Sequence, residues 1–348
     1  MKQDNNSTDS QNDMKENKIK KLFLTEISLK NFVFLISLSV FVLFILGFFG
    51  KYSRLFELFV NFRVQYAVIS AFSAVILFFI DRKSIKSHIA LITAAVLSST
   101  LIAFYIGPEV EEHPEASSVG LMVKVMSINV NTANSRYEKV IQAVKSEEPD
   151  LLVLEEVSEQ WIKHLSELKT IYPYSKEYPL SDNFGIAFYT KYPPEKISIA
   201  FTGNPTVPYI KAEFKLPADF VFYGVHTLPP VSSTGYKHRN KMLETLSAEI
   251  SGMKERQVII AGDFNLTPWS YFFKKFLADS GLKNSQTGFG IQPSWPVSPV
   301  FLRIPIDHCF VSESINVVSR KLGNETGSDH FPVIIQAVLK MNLNSCMK

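Results

Sequence analysis

Two cysteines among 348 residues, Cys309 and Cys346, are too few to staple a fold, so packing must hold this chain together. Fifteen glycines against 28 phenylalanines exclude a collagen-like or low-complexity protein. No segment recurs at a fixed period, which sets aside solenoids and propellers. An excess of charge is missing too: 36 Lys and Arg against 33 Asp and Glu leave a formal +3, too little for a chain that grips nucleic acid by bulk charge.

Charge is absent altogether from three stretches, Asn31–Gly50, Val64–Ile80 and Ile89–Gly107. Each has a length and composition suited to a membrane-crossing helix, which needs about 20 apolar residues. Buried soluble helices are usually shorter and keep a polar stripe. The first stretch begins too far in, and without a small-residue cleavage site, to be a signal peptide. None of the three holds Asp, Glu, Lys or Arg to serve an ion path, so anchoring is their simplest role. Lys15, Lys18, Lys20, Lys21 and Lys30 precede the first, and Arg82, Lys83 and Lys86 lie between the second and third. Positively charged flanks stay cytoplasmic. This bias predicts a multi-pass protein of the inner or plasma membrane with everything after Gly107 outside the cytoplasm.

The expected organisation is a disordered cytoplasmic tail over residues 1–30, a transmembrane anchor over 31–107, a linker over 108–120, an α/β domain over 121–340 and a short tail over 341–348. From Leu121 onward the charges nearly balance, 24 Lys and Arg against 22 Asp and Glu. Strand-like runs fall at 123–128, 151–157, 185–190, 209–214, 220–226, 257–263, 307–312 and 332–339. Helical spacing marks 136–147 and 239–251.

Candidate chemistry lies where these runs end. In Val258–Ser270 a β-branched strand runs into Gly262, Asp263, Phe264 and Asn265. An acid and an amide two residues apart share one face of a strand. Oxygen donors aimed at one point suit Mg²⁺ or a phosphate, although an Asp/Asn turn is the plainer reading. Four other strand ends carry matching groups: Asn129, Glu155 with Glu156, His226, and Asp307. Ser328, Asp329 and His330 precede the last run. Singly, each has a structural explanation as a cap, a turn, a solvated rim or a core histidine. Together they point to one site.

The ordered set SINV, LVLEEV, GIAFYTKYP, VHTLPP, GDFNLTPWS, IDHCFVS and GSDHFPV resembles the endonuclease/exonuclease/phosphatase superfamily, the DNase I-like fold, over roughly residues 122–339. The wording of VHTLPP, GDFNLTPWS and PSWPV is closest to a bacterial branch, some members of which are membrane-anchored. The resemblance implies a four-layer αββα sandwich of two mixed sheets, here preceded by three transmembrane helices, and phosphoester hydrolysis with Mg²⁺, for which Mn²⁺ can substitute. It implies Glu156, Asn129 and Asp329 at the metal, Asp263 and Asn265 orienting water and phosphoryl oxygens, and His330 as the catalytic histidine oriented by Asp307. His226 would face the leaving group.

Substrate is not specified by the fold. A nucleic acid or a phospholipid headgroup both fit a membrane-anchored phosphodiesterase, and no protein partner can be inferred. Arg239, in the basic cluster Lys237, Arg239 and Lys241, is a candidate substrate contact, and a solvated helix start is its plainer reading. The alternative function is a catalytically silent, membrane-anchored binding or scaffolding module of the same fold.

Overall fold

The computed structural model describes residues 5–106, 120–202, 206–215, 217–253 and 255–341. Four helices come first: α1 (Asn5–Gly47), α2 (Arg54–Val60), α3 (Arg63–Asp81) and α4 (Ile85–Ile102). The chain divides into two compact units, one formed by Met1–Leu46 with Arg63–Leu101, the other by Gly47–Phe62 with Ile102–Lys348. Thus α2 and its flanks, expected within the anchor, belong to the same unit as the α/β domain.

Among the described residues, three segments are long and apolar enough to cross a membrane, all within the first unit but for the end residues Gly47 and Ile102: Leu29–Gly47, Arg63–Asp81 and Ile85–Ile102. Small residues let the helices meet, with Ala74, Leu77, Ala90 and Ala94 buried around Val33. Large apolar side chains such as Phe32, Phe72 and Phe79 point outward. The polar segment expected to be disordered is instead helical from Asn5 onward. No Pro or Gly interrupts the sequence between Asn5 and Leu46, so a helix formed in the apolar stretch propagates without a breaker. Residues 107–119 and 342–348, which hold most of the expected linker and the C-terminal tail, lie outside the described residues.

The second unit continues with β1 (Gly120–Asn129), α5 (Tyr137–Glu147), β2 (Leu151–Glu155), α6 (Glu159–Leu165), β3 (Tyr174–Tyr178), β4 (Ile186–Thr190), β5 (Lys196–Phe201), β6 (Pro208–Phe214) and β7 (Phe220–His226). After these come α7 (Ser233–Ser251), β8 (Gln257–Asp263), α8 (Tyr271–Ser280), β9 (Leu282–Asn284), β10 (Asp307–Ser312), β11 (Asn316–Leu322) and β12 (Val333–Lys340). They form two six-stranded mixed sheets, ordered β11-β12-β1-β2-β4-β3 and β5-β6-β7-β8-β10-β9.

Alternation along each strand builds the layers. In β1, Val123 and Val125 face the other sheet, where Phe220, Phe222, Ile259 and Ala261 complete an apolar interior. Met126 and Ile128 face outward beneath Val140, Ile141 and Val144 of α5 and Trp161 of α6. On the second sheet, Val258 and Ile260 meet Met242, Leu243 and Leu246 of α7 and Phe273 and Phe276 of α8. The result is helix, sheet, sheet, helix.

Each sheet holds one parallel pair at its centre, β1 with β2 and β7 with β8, crossed over by α5 and α7 respectively. The carboxyl ends of these pairs are where a crevice for a ligand forms in such sheets. Antiparallel neighbours bring complementary residues to the same edge: Asp307 at the start of β10 lies opposite Asp263 at the end of β8, and His330 lies three residues before β12, which pairs with β1.

Candidate active site

The edge is crowded with polar side chains that are nonetheless buried. Asn129, Asp263 and Asp307 are 1–2% exposed, His226 3% and His330 5%. Asn129 Nδ2 donates to Glu156 Oε1 at 2.9 Å and to Asp263 Oδ2 at 3.3 Å, joining the two sheets across the crevice. Glu156 Oε2 accepts from the Thr132 amide at 3.2 Å. His330 Nδ1 lies 3.0 Å from Asp307 Oδ2, while its Nε2 is 3.8 Å from Asp263 Oδ2. His226 Nε2 is 3.6 Å from that same oxygen. Asp263, Asp307 and His330 each offer an atom within 4.8 Å of the others, as a metal cluster would.

Local backbone geometry aims these groups. Gly262 has φ +147°, and a Cβ there would stand 1.8 Å from the Val225 carbonyl oxygen. Only glycine lets β8 approach β7 closely enough to set Asp263 beside His226. Glu156 and Asn265 adopt left-handed conformations, φ +62° and +50°, which non-glycine residues hold only when their surroundings enforce them. For Asn265 that enforcement is visible. Its amide donates to Asp263 Oδ1 at 2.8 Å, and its Nδ2 donates to the Thr227 carbonyl at 2.9 Å. Ser328 fastens the other side by donating to the Asn129 carbonyl at 2.7 Å and accepting from the His330 amide at 3.0 Å.

Burial and crowding shift the ionisations in opposite senses. Burial, reinforced by the Asp307 charge, pushes Asp263 up to about 8. Burial also raises Glu156. For His330 burial disfavours the charged ring, yet Asp307 outweighs it and holds the histidine up at about 10. For His226 burial, reinforced by the nearby His330 charge, wins: it takes the ring down to about 4, leaving a neutral imidazole. Asp329 sits below the usual carboxylate range despite its burial, because Asn131 Nδ2 at 2.7 Å and Trp295 Nε1 at 2.8 Å donate to it.

Thus the strand-end residues Asn129, Glu156, His226, Asp263, Asn265, Asp307, Asp329 and His330 stand at one edge. Arg239 does not present itself to a substrate. It is 1% exposed, and its guanidinium donates to Glu57, Asn240 and the Asn265 carbonyl. The basic cluster around it reads as charged in sequence, but helical spacing turns Arg239 inward beside Met242 and Leu243. Glu155 is also buried, accepting from Ser127 Oγ at 2.9 Å, and burial raises it well above the ordinary range. Sequence reasoning missed Asn131 and Trp295, although Asn131 follows Asn129 by one strand period and Trp295 lies in the PSWPV motif.

The pattern of the whole edge matches a family model described as Endonuclease/Exonuclease/phosphatase family, over residues 126–330. The chain belongs to that family. Solved structures share its fold. An endonuclease/exonuclease/phosphatase from Bacteroides vulgatus is 19% identical with a TM-score of 0.53, covering 63% of this chain and all of that one. A humanised D. rerio TDP2 is 15% identical with a TM-score of 0.52, covering 62% and 98%. The 3' phosphatase NExo from Neisseria, bound to a product DNA hairpin, is 17% identical with a TM-score of 0.51, covering 61% and 98%. None of the curated protein sequences matches this one. Members of this family hydrolyse phosphoesters and generally use divalent metal ions, so the chain carries an established hydrolase fold.

Proposed function

We propose that this protein is a membrane-anchored, Mg²⁺-dependent phosphodiesterase whose catalytic domain lies outside the cytoplasm. The observation that carries the reading is the junction of Asn129, Glu156, Asp263, Asp307 and His330 at one edge, with Asp307 bonded to His330. The apolar helices and the flanking Lys and Arg bias support anchoring and orientation.

The residues fit a hard cation. Carboxylates and an amide oxygen dominate the edge, and burial raises both Glu156 and Asp263, as it does when anionic groups lack a counter-charge. Glu156, Asn129 and Asp329 would hold Mg²⁺, or Mn²⁺ in its place. When bound, the ion supplies positive charge against the non-bridging phosphoryl oxygens.

The chain's own groups divide the remaining work. Asp263, ionised where a bound cation offsets the crowding of carboxylates that raises it, would accept a proton from the attacking water, and Asn265 fixes the direction of that carboxylate through its amide. His330, held charged by Asp307, donates to a phosphoryl oxygen from Nε2. His226 is neutral and serves as a hydrogen-bonding partner near the leaving group rather than as a cationic acid. The base in this reading is therefore Asp263 rather than a histidine.

A panel on the full chain in detergent tests this reading: a generic phosphodiester, DNA, RNA, sphingomyelin and phosphoinositides, each with Mg²⁺ and with EDTA. Cleavage of one member that EDTA abolishes is expected. Cleavage of none would leave the silent binding module as the better account.

A further inference from the structure

The connection Gly47–Phe62 runs between two of the helices long enough to cross a membrane, yet it is built into the catalytic unit. Its helix α2 starts at the Ser53 cap and buries Glu57 to 2% exposure. Glu57 Oε2 accepts from Arg239 Nη2 at 2.5 Å, and Oε1 accepts from Ser270 Oγ at 2.7 Å. Arg239 comes from 182 residues further along the chain and is walled in by the rings of Tyr236 and Phe272. A buried guanidinium without its carboxylate is strongly unfavourable, so each ion holds the other in place.

The free arm of that fork reaches the site. Arg239 Nη1 donates to the Asn265 carbonyl oxygen at 3.1 Å. Asn265 is the left-handed residue whose amide binds the Asp263 carboxylate, so its carbonyl is one end of the peptide geometry that aims Asp263. The same connection grips the loop again two residues later, where Thr267 Oγ1 donates to Asn61 Oδ1 at 3.0 Å. Tyr236 adds a bond to the Gly50 carbonyl at 3.0 Å, and Arg54 donates to the Val231 carbonyl at 2.9 Å. A planar fork with several fixed donors can hold two acceptors at once, which a lysine ammonium does less well.

We propose that Glu57 is a positioning residue: through Arg239 it fixes the Asn265 carbonyl and the left-handed turn that presents Asp263 and Asn265. The connection between two candidate membrane spans is thereby a working part of the hydrolase. The catalytic consequence rests on the phosphodiesterase reading above; the structural consequence does not.

The test uses the full chain in detergent and reads amide hydrogen exchange alongside kinetics. Glu57→Gln keeps the size of the side chain and removes the charge that holds Arg239. Exchange across residues 263–267 should quicken by about tenfold or more, while β1 and β2 keep their protection. kcat should fall by about tenfold or more with KM changed less than about twofold, the signature of misplaced catalytic groups. Arg239→Lys should give the same pattern, and the double variant should be no worse than either single one, because both act through one path. Ile141→Val, on the buried face of α5 over the other sheet, supplies a control that loses stability away from the site and should leave kcat alone. If Glu57→Gln does not fold, Glu57→Asp, which retracts the charge by one methylene, should move both readouts the same way by less. Exchange at 263–267 unchanged from wild type would overturn the proposal whatever the activity. A kcat loss no larger than that of Ile141→Val would overturn its catalytic part. Wild-type protein that cleaves no phosphoester would instead overturn the hydrolase reading, and exchange would still decide Glu57.

Discussion

The middles and the ends of the same strands are equally buried and chemically opposite. In β8, Ile259 and Ala261 are fully buried among apolar neighbours, while Asp263, two residues on, is 2% exposed among two histidines and an aspartate. β1 repeats the pattern with Val125 and Asn129, and β10 with Val311 and Asp307. In the middles, burial and stability pull together, because apolar surface leaves water. At the ends burial opposes charge, and the fold must hold ionisable groups in positions they would not choose. That opposition is what a catalytic edge requires, since it shifts pKa values and keeps donors aimed.

The largest effect that would sharpen this contrast is on rate. Asp263→Asn should lower kcat by about 10²–10⁴, the usual loss for a general base, while the melting temperature holds or rises. A variant that loses stability along with activity would make the edge an ordinary part of the core. Next comes Phe222→Ala in the strand middle, stacked on Phe188 across the two sheets. It should cost about 3–5 kcal/mol in denaturant unfolding and leave the kcat of the folded fraction unchanged.

A third, smaller effect is the pH dependence of the metal-free protein. Asp263 rises from 3.8 to about 8 on folding, so the native state retains a proton that the unfolded chain releases across that window. Its contribution is complete below 3.8 and is lost as pH rises toward 8. His330 acts in the same sense at higher pH, its contribution present below 6.5 and lost as pH rises through about 10. Urea midpoints of Asp263→Asn should therefore decline less between pH 4 and 8 than those of wild type; parallel curves would remove Asp263 from the account. Least of all should change on the outer face of α3, where Phe79 is 82% exposed. Phe79→Ala should shift unfolding of the detergent-solubilised chain by no more than about 0.5 kcal/mol, and a larger loss would mean that this face is covered.

Strand interiors were legible in the sequence because their apolar runs are long and fully buried, as in Phe220–His226 and Gln257–Asp263. β3, β5, β9 and β11 were not, since these edge or short strands are largely half-buried or exposed and their apolar runs are broken by polar residues. The residues now found at the edge could be named from sequence because each ends or opens a strand. Their partners across the fold could not. Asn131 reaches Asp329 over 198 residues, and Glu57 reaches Arg239 over 182. Helical spacing with Met242, Leu243 and Leu246 sets Arg239 apart from the exposed Lys237 and Lys241, but nothing local names Glu57 as its partner.

The central claim is that metal-holding and proton-handling groups are separate parts of one edge, and a Mg²⁺ titration of hydrolysis in two variants tests it most directly. Glu156→Gln keeps the shape of the side chain and removes the charge that attracts a hard cation, so half-saturation should move to about 10–100-fold higher Mg²⁺ with much of kcat recovered at excess. His330→Ala should leave the Mg²⁺ requirement where it was and lose about 10²–10⁴ in kcat that no excess restores. A His330→Ala variant as active as wild type, or a Glu156→Gln variant with an unchanged Mg²⁺ requirement, would contradict the account.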